Sequence, residues 1–343
     1  MRDRRLNYLP WFAAAVVLLA AVAVLFATPG AMAQAGAQKK GQAPAVDKKL
    51  ADVEKDMTSL RRELMPYSLD AIPESMVLCD KKVPLMRDDL RERYEREFFQ
   101  LIEHRGLMTV MVKRYFKYYG IINEEIQRVN VPADLIYLVI TESYLNPRAL
   151  SRAQAAGLWQ FIQETGKREG LVINDHIDER YTVRKSTRAG LTHLKRLYNE
   201  FGDWFIALAA YNAGAQRLKD AMANQGTKDF FELYLPEETE RYIFRIMALK
   251  EIITNHEKYG IVVYERELYR PVALTEFVVE VTRETPSSAL SKAMDVPYRT
   301  YRENNLHIRK YKLGPGTYHV SVPTDKRDVF IKRVQASDTM RIV

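Results

Sequence analysis

The sequence has few of the residues that build cross-links, metal sites or phosphate-binding loops. It contains one cysteine, Cys79, so no intramolecular disulfide can form. Its six histidines show no metal-ligand spacing, and no glycine-rich phosphate loop is present. Cys79 also lies far beyond the N-terminal segment, which removes the usual attachment point of a lipoprotein. We therefore expect neither a metal nor a cofactor.

Charge of one sign is only mildly in excess. Lys and Arg number 52 against 44 Asp and Glu, a formal charge of +8, and they form no single basic block. This pattern gives no reason to expect nucleic acid as a partner, and weak attraction to an anionic surface such as a cell wall explains it more simply. With 343 residues and 47% hydrophobic content, the chain is predicted to form two folded units plus tails, as a monomer.

An apolar run near the N-terminus is too short to be a clear membrane span. It extends from Trp11 to Ala27, which is 17 residues or about 25 Å as a helix, whereas the hydrocarbon core is roughly 30 Å thick. Arginines precede it, and Ala31-Met32-Ala33 has the small-x-small pattern of a signal-peptidase site. We predict that residues 1–33 are a signal peptide that directs the protein to the periplasm. If this segment stays uncleaved, it forms an inner-membrane anchor and the only contact with the membrane.

Composition divides the rest of the chain into four parts. Residues 34–84 are predicted to form a tether and a short amphipathic helix, and residues 85–260 a helical domain. Residues 270–325 follow strand and helix patterns in the order β-α-α-β, and residues 326–343 are predicted to be a tail. The helices predicted within the helical domain are Leu90–His104, Leu107–Val129, Pro132–Ser143, Ala155–Glu169, Val183–Phe201, Trp204–Ala213 and Pro236–Tyr259. The predicted fold class is therefore mainly α, followed by a small α+β module.

One carboxylate stands near the end of an almost wholly apolar helix. Glu142 shares a face with Leu135, Leu138 and Val139, its neighbours at i−7, i−4 and i−3. Desolvation and the partial negative charge of a helix C-terminus both raise the pKa of a carboxyl in that position. A carboxyl that stays protonated near neutral pH can act as a general acid on a leaving-group oxygen. The alternative is a structural Glu142 that turns to solvent or caps neighbouring backbone.

Other polar side chains stand at the ends of predicted buried elements. Gln160 lies in a stretch of small residues, and Tyr211 and Asn212 end an apolar helix. Buried polar groups are costly unless they are used. The amides of Gln160 and Asn212 can donate and accept, as recognition of sugar hydroxyl and N-acetyl groups requires. Trp159 is expected either to stack on a sugar face or to belong to the core.

These motifs, in their order and spacing, resemble the catalytic domain of the soluble lytic transglycosylase family, and within it the membrane-bound lytic murein transglycosylase D group. The resemblance covers about residues 121–257. The stretches that carry it are Glu142-Ser143, Gly157–Phe161, Ser186–Ala189, Ala210–Gly214, and Glu238-Thr239 with Tyr242. It implies a lysozyme-like helical domain that cleaves the β-1,4 bond between N-acetylmuramic acid and N-acetylglucosamine in peptidoglycan.

The resemblance also implies a role for each matched residue. Glu142 is expected to be the sole catalytic group, first protonating the glycosidic oxygen and then taking the proton of the muramyl 6-hydroxyl. That oxygen closes onto C1, so the product is a 1,6-anhydro sugar and no water is consumed. The residues expected to line the glycan groove are Ser151, Gln160, Tyr211, Asn212 and Tyr242.

Two rival functions stay open. A goose-type muramidase would hydrolyse the same bond, and hydrolysis usually needs a second carboxylate. Asp175, Asp178 and Glu179 could supply one, although they lie in a polar stretch that is predicted to be an exposed loop. The second rival is an inactive peptidoglycan-binding protein. The intact Glu142-Ser143 pair argues against it.

The C-terminal module resembles a diverged LysM module, which is a peptidoglycan-binding fold. The resemblance covers about residues 276–323 and rests on the β-α-α-β order, with Asn305-Leu306 after the second helix and Gly316 before the last strand. A generic small α+β domain is the alternative.

Overall fold

The computed structural model describes residues 51–56 and 72–343, in a chain whose compact units are residues 1–64 and 65–343. In the first unit, residues 51–56 are helical, which agrees with part of the predicted amphipathic helix. The predicted signal peptide and most of the predicted tether lie outside the described residues. Within the described ranges, no helix combines the length and the apolar character needed to cross a membrane.

The region from residue 88 to residue 254 is helical, as predicted. Its helices are α1 (Asp88–Glu103), α2 (Arg105–Val129), α3 (Leu135–Ser143), α4 (Gln163–Arg168), α5 (Val183–Phe201), α6 (Trp204–Ala213), α7 (Ala215–Gln225) and α8 (Glu237–Thr254). Every residue of α3 from Leu135 to Ile140 is buried. A helix that is apolar on all sides belongs inside a domain, and α3 packs against both α2 and α8.

The prediction of one helix over Ala155–Glu169 is wrong. Only Gln163–Arg168 is helical, and the chain before it is a loop closed by backbone bridges that pair Ala156 with both Leu150 and Phe161. Helix α7 was not predicted, because Leu218 is its only buried residue and the apolar periodicity is correspondingly weak.

The end of the predicted tether is part of the folded domain, which corrects the boundary at residue 84. Strands β1 (Ser75–Leu78) and β2 (Lys81–Pro84) form an antiparallel hairpin. At its turn the Cys79 amide donates to Asp134 Oδ2 at 2.7 Å, and burial raises the pKa of the Cys79 thiol. The side chains that join the main hydrophobic core from this segment are Ile72, Met76, Leu78, Cys79, Val83 and Leu85. This burial explains why the segment folds with the helices instead of remaining a tether.

The C-terminal module contains the predicted β-α-α-β order, with three short strands and a third helix added to it. It comprises β3 (Leu274–Val281), β4 (Thr285–Pro286), α9 (Ser288–Met294), α10 (Tyr298–Asn304), β5 (Lys312–Leu313), β6 (Gly316–Pro323), α11 (Arg327–Gln335) and β7 (Met340–Ile342). The main sheet is antiparallel, with β3 between β6 and β7. The predicted tail at residues 326–343 is therefore wrong, since Phe330, Val334 and Met340 belong to the buried core of the module.

Residues 174–178 join the module to the helical domain. Ile177 forms a backbone bridge with Ile308, and the Asp178 amide donates to the His307 carbonyl oxygen at 2.8 Å. Cavities of about 630 Å³ and about 430 Å³ lie between the two parts. Glu142 lines neither of them, so they are separate from the candidate active site.

Candidate active site

Glu142 occupies the last turn of α3. Its polar neighbours Thr141 and Ser143 donate their hydroxyl hydrogen bonds to backbone carbonyl oxygens of the same helix. The Thr141 bond to the Tyr137 carbonyl is 2.8 Å long, and the Ser143 bond to the Val139 carbonyl is 3.3 Å long. The helix ends after Ser143, because Tyr144 and Leu145 have positive φ values of 51° and 52°. Left-handed backbone at non-glycine residues is uncommon and concentrates at functional sites. The Thr141 and Ser143 hydroxyls are engaged with the helix backbone, so the Glu142 carboxyl is the polar group of this turn that can react with a ligand.

The Glu142 carboxyl meets α8. Tyr242 is buried, and its hydroxyl donates a hydrogen bond to Glu142 Oε1. Glu142 keeps part of its surface exposed, yet desolvation of its carboxyl is the largest effect and raises its pKa to about 7. The Tyr242 bond and the positive charge of Arg245 lower that pKa, whereas the negative charge of Glu238 raises it. The desolvation expected from the sequence is thus present, and the group is close to half-protonated at neutral pH.

Two of these electrostatic neighbours were not recognised from the sequence as affecting Glu142. Arg245 stands three residues after Tyr242, and Glu238 four residues before it, so all three share one face of α8. That spacing is the only signal in the sequence that could have identified them, and it is informative only once Tyr242 is known to contact Glu142.

Tyr211 and Asn212, at the end of α6, lie beside this group. The Tyr211 hydroxyl donates to the Trp159 carbonyl oxygen at 2.7 Å. Burial, and then the charge of Glu142, raise the pKa of the Tyr211 phenol well above its usual value. Asn212 Oδ1 accepts a hydrogen bond of 3.1 Å from the Thr239 hydroxyl, in the first turn of α8. Glu142, Tyr211 and Tyr242 are therefore brought together from three helices.

Ser151 and Gln160 belong to the loop between α3 and α4. Ser151 Oγ accepts from the Ala155 amide at 3.0 Å, and Gln160 Nε2 donates to the Gly157 carbonyl oxygen at 2.8 Å. These bonds are internal to the loop and do not reach Glu142. Both side chains are partly exposed, so a ligand can still contact them.

Trp159 is a core residue and does not offer a stacking surface. It is fully buried, and its indole N–H donates to Thr187 Oγ1 at 3.1 Å. The ring packs against Gly190 of α5, where an added Cβ would lie 2.1 Å from a ring carbon. This contact decides between the two sequence-based alternatives for Trp159.

The polar stretch around Asp178 is buried, so the prediction of an exposed loop is wrong there. Asp178 holds the Arg180 guanidinium through Nε at 2.9 Å and Nη2 at 2.7 Å. Glu179 is paired with Lys185, and of the three candidate carboxylates only Asp175 is exposed as predicted. Charged groups are rarely buried unless they are paired, and each of the two buried carboxylates here has its cation.

Arg180 supports the loop that carries Gln160. Its Nη1 donates to the carbonyl oxygens of Gln154 and Phe161, both at 2.8 Å. The backbone of Arg180 also presses on Gly157, whose φ is 77° and where a Cβ would lie 2.0 Å from the Arg180 oxygen. Only glycine fits this position. The Asp178–Arg180 pair was missed as a supporting element because the sequence contains no signal for its burial.

The raised pKa makes ionised Glu142 a destabilising group. From pH 4.5 to about 7 the folded state binds more protons than the unfolded state, so the free energy of unfolding falls as pH rises. We expect Glu142→Gln to remove this loss, with a gain that is small at acid pH and on the order of 3 kcal/mol above neutral pH. Urea unfolding on both sides of that range measures it. An equal effect of the substitution at both pH values would contradict the burial of the carboxyl.

No group of three or more His, Cys, Asp or Glu in the described ranges has the arrangement of a metal site. The site itself presents the carboxyl of Glu142, the buried phenol of Tyr242 and the partly buried phenol of Tyr211. Polar amides stand at its edge.

Comparison with known proteins identifies the family of this region. Residues 120–234, about a third of the chain, match the transglycosylase SLT domain. The chain is also 35% identical over 210 residues to the membrane-bound lytic murein transglycosylase D of Escherichia coli strain K12, covering 60% of this chain and 46% of that protein. The chain thus spans about half the length of this curated relative.

Two solved structures show weaker similarity. One is an inactive mutant of the lytic transglycosylase Slt from Pseudomonas aeruginosa, with a TM-score of 0.35 and 20% identity over 45% of this chain and 27% of that one. The other is the 70 kDa soluble lytic transglycosylase of Escherichia coli, with a TM-score of 0.36 and 18% identity over 55% of this chain and 37% of that one.

The family match contains Glu142, the loop with Gln160 and the end of α6, whereas Tyr242 on α8 lies outside it. It confirms the resemblance seen in the sequence. Residues 120–234 of this chain are therefore a transglycosylase SLT domain.

Proposed function

We propose that this protein is a lytic transglycosylase of peptidoglycan. It cleaves the β-1,4 bond between N-acetylmuramic acid and N-acetylglucosamine and leaves 1,6-anhydromuramic ends. The observation that carries the proposal is a single desolvated carboxyl, Glu142, whose pKa is raised to about 7 inside an SLT domain. A group with that pKa can both give and take a proton at neutral pH.

Glu142 acts first as the acid. Because Tyr242 donates to Oε1, the proton of the neutral carboxyl resides on Oε2 and points to the leaving-group oxygen. Proton transfer to the glycosidic oxygen breaks its bond to C1 of the muramyl residue, and positive charge develops at C1. The Glu142 carboxylate formed in this step lies beside that charge, where a negative group is stabilising.

Glu142 then acts as the base. The 6-hydroxyl of the same muramyl residue attacks C1, and Glu142 takes the hydroxyl proton as the new carbon–oxygen bond forms. The carboxyl is regenerated in its protonated form, so atoms and charge balance without water. Tyr242 keeps its hydrogen bond throughout and stabilises the carboxylate in the interval between the two steps.

A hydrolytic reaction would need a further carboxylate for the water, and the candidates foreseen in the sequence are poorly suited. Asp178 and Glu179 are buried in ion pairs with Arg180 and Lys185. Neither carboxylate is among the groups that perturb the pKa of Glu142. Their engagement favours cyclisation over hydrolysis.

One observation favours the muramidase alternative. Glu238 is exposed at the start of α8, and its charge acts on Glu142. In a hydrolase, Glu238 would be the base that activates water. Glu238→Gln would then abolish reducing-end products, whereas a transglycosylase retains its anhydro products in that variant.

Product analysis tests the proposal directly. Purified peptidoglycan is digested with the protein, and the muropeptides are read by mass spectrometry. We expect ends that lack one water relative to a reducing sugar. Products with reducing ends would replace this proposal by the muramidase, and an unaltered glycan would leave a binding protein.

The remaining parts of the chain fit an enzyme of the cell envelope. We propose export to the periplasm through residues 1–33, and binding of the glycan strand by Ser151, Gln160, Tyr211, Asn212 and Tyr242. The C-terminal module is proposed to be LysM-like and to bind the same polymer, supported by its antiparallel β3 and β6 with α9 and α10 between them in the chain. Helix α11 and strand β7 are additions to that pattern.

A further inference from the structure

A buried carboxylate of α1, Glu97, joins α1 to α8. Glu97 of α1 is 1% exposed and is held by two arginines of α8, Arg241 and Arg245. The Arg245 Nε–Glu97 Oε2 distance is 2.9 Å. Arg241 bonds to the other oxygen of Glu97 and also to Gln100 Oε1 at 2.9 Å. One negative charge is thus shared between two cations in a buried position.

Arg245 has a second neighbour, the candidate acid. It lies three residues after Tyr242, whose hydroxyl bonds to Glu142, so the guanidinium and the phenol extend from one face of α8. Its positive charge acts on the Glu142 carboxyl. Arg245 therefore interacts with two carboxylates: it donates its hydrogen bond to Glu97, and its charge acts on Glu142.

We propose that Glu97 is a positioning residue for the acid, because it holds the Arg245 guanidinium on the α1 side and prevents it from pairing with Glu142. The proposal rests on the proposed role of Glu142 as the acid. A guanidinium paired directly with Glu142 would keep the carboxyl ionised at neutral pH, with no proton for the glycosidic oxygen. Both Glu97 and Arg245 lie outside residues 120–234, so this part of the acid's environment is added to the SLT domain by flanking helices.

The other groups around Glu142 do not take over this function. Those facing its carboxyl are Tyr242 and Glu238 from α8 and Tyr211 from α6. Tyr211 and Tyr242 are neutral near pH 7, since burial raises the pKa of both phenols well above the usual value. Glu238 is negative and opposes ionisation of Glu142. Arg245 is the cation that acts on Glu142. By fixing the position of this guanidinium, Glu97 controls how strongly it favours the ionised form of Glu142.

The test measures the titration midpoint of Glu142 by carbon-13 NMR of the labelled protein, with the signal assigned by its loss in Glu142→Gln. Glu97→Gln frees Arg245, and we expect the midpoint to fall by roughly 1 pH unit. Arg245→Gln removes the cation, and the midpoint rises. In the double variant E97Q/R245Q the fall disappears, because no guanidinium remains to move. The pH above which the cleavage rate falls is expected to shift in the same direction as the titration midpoint in each variant.

Arg241→Gln is the matched control. It removes the other cation from Glu97 but leaves the Arg245 bond, so the midpoint stays near that of the wild type. If Glu97→Gln does not fold, the test is the difference in the Glu142 titration midpoint between Arg245→Gln, where we expect it to rise, and Arg241→Gln, where we expect it to stay near the wild-type value. Equal midpoints in those two variants, or an unchanged midpoint in Glu97→Gln, would overturn the proposal. The NMR midpoint is measured without turnover, so it can be determined even if the protein is not a transglycosylase. A protein that makes no anhydro product would refute the proposed function, and the midpoints would still test the role of Glu97.

Discussion

Replacing Glu142 by Gln is expected to lower the rate of glycan cleavage by about 10²- to 10⁴-fold, the range that general acid–base catalysis contributes. The substitution keeps the size of the side chain and its ability to accept the Tyr242 hydrogen bond. It removes the proton donor of the first step and the acceptor of the second. The release of muropeptides from purified peptidoglycan, measured as initial rates, gives the size of the loss.

The control for this substitution is Glu164→Gln. Glu164 is an exposed carboxylate at the start of α4, outside the contacts described for the site. It undergoes the same chemical change, and we expect its rate to stay at the wild-type value. Activity in Glu142→Gln equal to that of Glu164→Gln would exclude Glu142 as the proton donor. Because Glu142→Gln is also expected to be more stable above neutral pH, its loss of activity is not attributable to unfolding.

Replacing Arg180 by Met is expected to reduce the free energy of unfolding by about 3–5 kcal/mol, as for other buried ion pairs that lose one partner. Methionine fills much of the volume of the arginine stem but leaves the Asp178 carboxylate buried without its cation. The carbonyl oxygens of Gln154 and Phe161 also lose their donor. Urea denaturation at neutral pH measures the change.

Arg299→Met provides the comparison for Arg180→Met. Arg299 pairs with Glu303 four residues later on α10, and its side chain is 83% exposed. Exposed helical pairs of this kind contribute about 0.3–0.5 kcal/mol, so its loss is expected to be small. Similar losses in the two variants would show that the Asp178–Arg180 pair does not support the loop carrying Gln160.

Local patterns were sufficient for most of the helical elements and for the place of the candidate acid at the end of one of them. The apolar stretch before Glu142 predicted a buried helix, and α3 is buried from Leu135 to Ile140. Patterns failed where backbone geometry or burial depends on distant residues. Gly157 and the loop around it were assigned to a helix because the requirement for a positive φ comes from Arg180, more than twenty residues later.

The tail and the hairpin were misjudged for a related reason. Short strands such as β1 and β7 have too few residues to show periodicity, and they are stable only because their partners exist elsewhere in the chain. Burial of Val83 and Met340 is a property of the assembled cores, and no local composition distinguishes these residues from those of a linker.

The sequence by itself determined a mainly helical domain followed by a β-α-α-β module, with one carboxylate at the end of an apolar helix, because helical and strand periodicities are local. Only the tertiary structure decided which groups meet that carboxylate. Tyr242 lies 100 residues after Glu142, and Glu97 reaches Arg245 from a helix 148 residues earlier in the chain. Desolvation and charge pairing act through space, so the pKa of Glu142, the core position of Trp159 and the pairing of Asp178 depend on packing.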